Sequence, residues 1–276
     1  VLPIAKSKDN PLVDKNEPLV ELKGVSLAYG RGDSATLALA DATMSIRKGE
    51  FIAVVGPSGC GKSTLMKLVT GLLPATSGDV IVHGQKVTKP IKGVGMAFQN
   101  PTLMPWRTTM DNILLPLEVV EPHKRRFRAN KAEYVAKVEA LLNIVGLTGF
   151  GSKYPWQLSG GMQQRSNLCR ALIHDPEIMM LDEPFGALDA FTREDLWSVM
   201  QNLWLEKKFT AVLVTHDLRE AAYLADTIYV MSKRPGRVIL KKTIDIPRPR
   251  TLQTTFEPHF VDIVHELRDR IHQEYA

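Results

Sequence analysis

The sequence predicts an α/β protein: a largely parallel sheet covered by helices, with an antiparallel strand region before it and a helical insertion within it. Three observations carry this. A short apolar run at 51–55 leads through glycines into a helical pattern at 62–72. After Ser159 the order is helix, strand, helix, strand, helix, strand, at 162–174, 178–181, 190–206, 211–214, 218–224 and 227–231. Between 108 and 145 the pattern turns helical, in two pieces joined by a Pro and basic segment. Alternating strands and helices build a parallel sheet, because each parallel pair needs a crossover that covers a face.

Taken in order, residues 1–17 mix Pro, Lys, Asp and Asn without periodicity and read as a mobile lead-in. Strand-like stretches at 19–29 and 37–46 flank turn-rich residues 30–34 and form a hairpin or two neighbouring strands. Residues 79–83 and 94–98 are further strands. The insertion holds helices at 110–117 and 131–145, joined around Pro122. Residues 232–246 resemble a terminal hairpin, 247–250 a linker and 258–275 an end helix with Phe260, Ile263, Val264 and Leu267 on an apolar side. This divides the chain into a lead-in at 1–17, a core domain at 18–246 with its helical part at about 100–165, and a linker and helix at 247–276.

With 276 residues, 44% hydrophobic and 24% charged, the chain has the composition of a folded globular protein. No stretch approaches the roughly 20 apolar residues of a membrane span, so any membrane role is peripheral. The first residues lack a secretory pattern, which points to the cytoplasm. Two cysteines, Cys60 and Cys169, do not make a disulfide framework. The net charge of +5 permits contact with nucleic acid without requiring it. The densest basic run, Lys124, Arg125, Arg126, Arg128 and Lys131, lacks the repeated aromatics of a single-strand platform and reads as a solvated or partner-facing loop.

The chemistry begins with Gly56-Pro57-Ser58-Gly59-Cys60-Gly61-Lys62-Ser63, which fits G-x-x-x-x-G-K-[ST] between the required strand and helix. Its glycines let backbone N–H groups curl round phosphate oxygens, and the helix adds its positive end. Lys62 is the residue for the β and γ phosphates, Ser63 a Mg²⁺ ligand, and Thr64 a contact for the α-phosphate. The competing reading is an ordinary glycine turn, but a chance match in this chain is on the order of one in a hundred. A second apolar strand, 178–181, runs into Asp182-Glu183. There Asp182 would reach Mg²⁺ and Glu183 would act as base for the attacking water. Many buried strands end on a charged residue; behind a phosphate loop the pattern means more.

Leu158-Ser159-Gly160-Gly161-Met162, just upstream of that strand, resembles the signature motif of the ABC ATPase family. The resemblance covers about 18–246 and implies a P-loop NTPase core of ABC ATPase type, with an antiparallel β subdomain and a helical subdomain insertion. It further implies that Tyr29 is the aromatic that stacks on adenine, that Gln99 touches Mg²⁺ and the attacking water, that Asp189 in Gly186-Ala187-Leu188-Asp189 belongs to the loop across the dimer, and that His216 contacts the γ-phosphate. In such proteins Ser159, Gly160 and Gly161 dock on the γ-phosphate held by the other subunit, so that two ATP molecules lie in a head-to-tail dimer. Where the motif commonly has Gln, this chain has Met162, which with Gln99 to Trp106 and the tail Pro247-Arg248-Pro249-Arg250 is similar to importers of the nitrate, sulfonate and taurine type.

That resemblance implies ATP and Mg²⁺ as cofactors, and as partners a second copy or a similar ATPase chain, two membrane-spanning permease subunits and, indirectly, a substrate-binding protein. The permease would dock near Gln99 and residues 100–107, where Pro101, Leu103, Met104, Pro105 and Trp106 form an apolar stretch. The expected place is the cytoplasmic face of the inner plasma membrane, without nucleic acid. The alternative is a soluble ABC ATPase acting on ribosomes or DNA. Those types carry two modules, long coiled coils or zinc sites, and none is apparent here.

Overall fold

A computed structural model describes residues 18–30 and 35–274. The lead-in at 1–17 and most of the 30–34 turn lie outside the described residues. In chain order the elements are β1 (Pro18–Tyr29), β2 (Thr36–Arg47), β3 (Phe51–Val55), α1 (Lys62–Val69), β4 (Ser77–Val82), β5 (Gln85–Lys86), β6 (Val94–Phe98), α2 (Thr109–Val119), α3 (His123–Arg126) and α4 (Lys131–Ile144). There follow α5 (Gly160–Leu172), β7 (Ile178–Asp182), α6 (Ala190–Lys207), β8 (Thr210–Thr215), α7 (Leu218–Leu224), β9 (Thr227–Met231), β10 (Val238–Thr243) and α8 (Pro258–Gln273).

Two sheets result. An antiparallel sheet has the order β2-β1-β4-β5, and a second sheet the order β10-β9-β3-β8-β7-β6, parallel from β9 to β6. The parallel strands are apolar on both faces because both are covered. In β3, Phe51, Ala53 and Val55 face a core built with the helices, whereas Ile52 and Val54 face a core shared with the antiparallel sheet and α1. The α/β class and the antiparallel region expected from the sequence are therefore both present.

Local differences have local causes. Helix α1 stops at Val69, short of residue 72, because Gly71 takes a left-handed conformation (φ +73°) that turns the chain. The hairpin expected within 232–246 forms instead between β9 and β10, with 232–237 as its loop. The two-residue β5 and the one-turn α3 leave no periodic trace.

The C-terminal segment packs on the core. Phe260, Ile263 and Leu267 of α8 are buried there. Arg250 is 2% exposed. Its guanidinium donates to the carbonyls of Ala222, Tyr223 and Ala225, at the end of α7, and to that of Ile246.

Candidate functional site

Register decides what meets at the sheet's edge. Phe98 stands opposite Asp182, Asp182 opposite Val214, and Val55 opposite Thr215. The parallel strands β3, β6, β7 and β8 therefore end level, and the residues just beyond them, Gly56, Gln99, Glu183 and His216, emerge together. Ligands bind in the crevice outside the carboxyl ends of such strands.

The loop after β3 is shaped by backbone no other residue would adopt easily. Gly59 has φ +75° and Gly61 φ +104°. A Cβ on Gly61 would lie 2.9 Å from the carbonyl oxygen of Ala38 in β2. Gly61 caps α1 without a side-chain hydrogen bond, which leaves the helix's first N–H groups facing the loop. Lys62 is 5% exposed, and its Nζ donates to the carbonyls of Gly56 (2.9 Å) and Pro57 (3.0 Å), across the concavity. The Cys60 thiol packs inside, pushed up in pKa by burial. Tyr29, at the end of β1, lies over the next turn, its hydroxyl 3.1 Å from that of Thr64.

Two adjoining clefts share Ser63 and Glu183. One, of about 260 Å³, is lined by Tyr29, Ser58, Gly59, Gly61, Lys62 and Thr64 among others. The second, of about 330 Å³, adds Phe98, Gln99, Asn100, Thr102 and Asp182. Between them Ser63 Oγ donates to Asp182 Oδ1 at 3.1 Å. Burial raises the pKa of Asp182, and the charge of Glu183 beside it adds to this against the pull of the Ser63 hydroxyl, Lys62 and Lys67. Oxygen donors with an excess of negative charge suit a hard divalent cation such as Mg²⁺, with the Gln99 amide lining the same cleft.

Glu183 leaves β7 in a left-handed conformation (φ +45°), held by its N–H to the carbonyl of Val214 (2.8 Å). Its Oε2 reaches His216 Nδ1 at 3.2 Å. A Cβ on Gly186 would lie 3.3 Å from Gln99 Nε2 and 3.8 Å from Glu183 Oε2, so a glycine here lets amide and carboxylate approach.

Ser159 caps α5, its Oγ accepting from the N–H of Met162 (3.3 Å), and Asp189 caps α6 by accepting from the N–H of Thr192 (3.1 Å). These two helix starts touch: a Cβ on Gly161 would lie 2.5 Å from Thr192 Cγ2. Neither Ser159, Gly160, Gly161 nor Asp189 lines either cleft. The sequence-derived residues thus fall into two groups on one chain. One surrounds the phosphate loop; the other pairs two exposed helix N-termini.

A family model described as ABC transporter matches residues 39–186, more than half of the chain. The chain belongs to the ABC transporter family. An aliphatic sulfonates import ATP-binding protein, SsuB, of Bacillus cereus is 41% identical over 238 residues, 85% of this chain and 90% of its own. A nitrate import ATP-binding protein, NrtD, of Synechococcus elongatus is 41% identical over 243 residues, covering 87% of this chain and 86% of its own. Among solved structures, the dimeric structure of MJ0796, a bacterial ABC transporter cassette, matches with a TM-score of 0.67 at 30% identity, over 83% of this chain and all of its own. The same cassette in a dimeric post-hydrolysis state bound to ADP and Pi matches with a TM-score of 0.66. This ABC protein is an ATPase of that family.

Several residues that hold the ABC site together were not foreseen. Gln164 in α5 is buried and donates to the carbonyls of Phe98 (3.2 Å) and Pro184 (2.5 Å), and Asn167 reaches Phe98 as well (3.4 Å). They tie the helix begun by Ser159 to the Gln99 and Glu183 loops. Arg193 in α6 bridges the Leu188 carbonyl (3.0 Å) and Asp217 Oδ2 (3.1 Å), joining the Asp189 loop to the start of α7. Gln164 and Asn167, three apart on an otherwise apolar helix face, were the available signal.

Proposed function

We propose that this chain is the ATP-hydrolysing subunit of a multi-subunit importer for a small anion of the nitrate, alkanesulfonate or taurine class. It works as a head-to-tail pair of cassettes at the cytoplasmic face of the plasma membrane. The observation that carries the reading is the meeting at one sheet edge of Lys62, the Ser63–Asp182 pair, the Glu183–His216 pair and Gln99. The names of the sulfonate and nitrate import relatives support the substrate class.

Phosphoryl transfer needs positioning and charge neutralisation above all. The backbone N–H groups from Ser58 to Thr64 cradle the phosphates, Lys62 turns its ammonium from the loop carbonyls to the β and γ oxygens, and Tyr29 supports the adenine. Glu183, aimed by its backbone and held by His216, orients the attacking water and takes its proton, and Gln99 positions the same water. Ser63, Asp182 and Gln99 hold Mg²⁺, which supplies charge neutralisation for the transferring phosphoryl group.

Ser159, Gly160, Gly161 and Asp189 complete the site of the opposite subunit, which accounts for their standing apart from the clefts of their own chain. Closure on ATP and release after hydrolysis then form a ligand-biased two-state change. Two permease subunits dock near residues 100–107, where Trp106 is 72% exposed and so is not a core residue. A substrate-binding protein acts through them. We assign residues 18–246 to the cassette, with its helical part at about 100–165, and 247–276 to a C-terminal appendage.

The test is ATP hydrolysis by the purified chain, alone and reconstituted with permease subunits and their binding protein loaded with candidate anions. Turnover that rises with one loaded binding protein supports the importer reading and names its cargo. Turnover indifferent to the permease but responsive to ribosomes or DNA rejects it.

A further inference from the structure

The loop between β9 and β10 presses on the phosphate loop more closely than a side chain would allow. A Cβ on Gly236 would lie 1.9 Å from the carbonyl oxygen of Cys60 and 2.7 Å from Met231 Cε. On its other side Gly236 pairs with β2: its N–H donates to the Ala38 carbonyl and its carbonyl accepts from the N–H of Ala40, both at 2.9 Å. Ala38 is the same residue whose carbonyl excludes a Cβ at Gly61. Three backbones, from β2, the phosphate loop and this loop, are in direct contact around it.

The loop's own shape is fixed by one buried hydroxyl. Ser232 Oγ accepts from the N–H of Arg237 (3.0 Å) and faces the carbonyls of Lys233 (2.9 Å) and Pro235 (3.2 Å). Ser232 N–H donates to the Arg237 carbonyl (2.9 Å). Arg234, two residues before the Gly236 wedge, is thereby placed at the wall of the cleft that holds Tyr29 and Lys62. Its Nε donates to the carbonyl of Leu37 at 3.4 Å. Leu37 stands opposite Ala28 in the β1–β2 ladder, beside the Tyr29–Thr36 pair, so Arg234 lies at the Tyr29 end. It does not line the second cleft, where Gln99 and Asp182 stand.

We propose that Arg234 is a nucleotide-binding residue, the cation of the nucleoside end of the cleft. This inference rests on the reading of the cleft as an ATP site and adds a residue to it. A guanidinium offers five N–H donors and no acceptor, and it binds phosphate oxygens and stacks on planar rings. At this end a nucleotide presents the ribose hydroxyls, the α-phosphate oxygens and the base. ATP and ADP share all of these, so Arg234 contributes to ground-state affinity for both alike. Lys62 and Glu183, by contrast, serve the phosphoryl end, where the γ-phosphate alone distinguishes ATP from ADP.

The experiment measures ATP and ADP affinity by calorimetry for the full chain and its Arg234→Ala and Arg234→Lys variants, with thermal melting as a control for folding. The expected result is a loss of roughly three- to tenfold for ATP and ADP by the same factor, the size of one part-exposed polar contact. KM for ATP rises in parallel, and Arg234→Lys recovers part of the loss. Unaltered affinity in a folded Arg234→Ala, or a loss confined to ATP, overturns the proposal. So does a loss that falls on kcat with KM intact. If the unsubstituted chain binds neither nucleotide, the ATP-site reading falls and this inference with it; if that chain binds and Arg234→Ala binds equally well, only this inference falls.

Discussion

His216 Nδ1 lies 3.2 Å from Glu183 Oε2, and the two residues follow neighbouring strands, β8 and β7, that end level. The imidazole holds the carboxylate from the side while the left-handed backbone of Glu183 points it into the clefts. Replacing the acid by its amide keeps this geometry and removes the base. Glu183→Gln is expected to bind ATP as the unsubstituted chain does, to accumulate as an ATP-bound dimer, and to lose turnover by about 10²- to 10⁴-fold. Steady-state kinetics and size-exclusion chromatography with ATP read both effects. Undiminished turnover would remove Glu183 from its assigned role.

Lys62 Nζ is satisfied by two loop carbonyls, so its charge is stored at the centre of the cradle at little cost. Lys62→Ala removes the charge that would answer the β and γ phosphates. ATP affinity should fall on the order of tenfold or more, as expected for loss of a charge-assisted contact, with a smaller loss for AMP. Titration with the two nucleotides measures the difference, and equal losses would place Lys62 at the nucleoside end.

The site was legible wherever its chemistry is local in sequence. Gly56 to Ser63 and Asp182-Glu183 need only a strand, a turn and a helix start, and level strand ends then bring them together. Gln99 and His216 carry no local signal of their own; the resemblance to the ABC ATPase family singled them out. Gln164, Arg193 and Arg234 reach the Pro184 carbonyl, Asp217 and the Leu37 carbonyl, 20, 24 and 197 residues away, and although Gln164 and Asn167 break an apolar helix face, nothing local names those partners. The fold reads the same way. Long periodic elements are visible, whereas β5, α3 and the placing of the last hairpin depend on what they pair with.

Arg250 stands in a proline-rich stretch that composition assigns to a linker, yet it is the hub of the C-terminal packing. Besides the four carbonyls it bonds, its own N–H donates to Gln201 Oε1 (2.8 Å), and its carbonyl accepts from Gln201 Nε2 (2.8 Å) and the Tyr223 hydroxyl (2.7 Å). Burial lowers its pKa to about 10, which leaves it charged at neutral pH. Arg250→Met keeps the length and abandons those carbonyls in the interior. A loss of about 3 kcal/mol is expected, since each buried unpaired group costs about 1–3 kcal/mol. Urea unfolding measures it, and an unchanged midpoint would mean that the carbonyls find other donors.

Glu220 gives a pH dependence with a definite sign. It lies buried in α7, and its Oε1 has no hydrogen-bond partner among the described residues. Burial raises its pKa well above 4.5, and the nearby charge of Asp217 adds to this against Arg193. Below the unfolded value both states carry the proton and its titration costs nothing. As pH rises above it, the unfolded chain releases a proton that the folded chain keeps, and stability falls by about 1.4 kcal/mol per pH unit until the folded pKa is passed. Glu220→Gln has no such proton to lose. The variant should therefore gain on the unsubstituted chain as pH rises above about 5, and the gap should stop changing below about pH 4. Urea unfolding across this range tests it, and parallel curves would show that Glu220 is ionised in the fold.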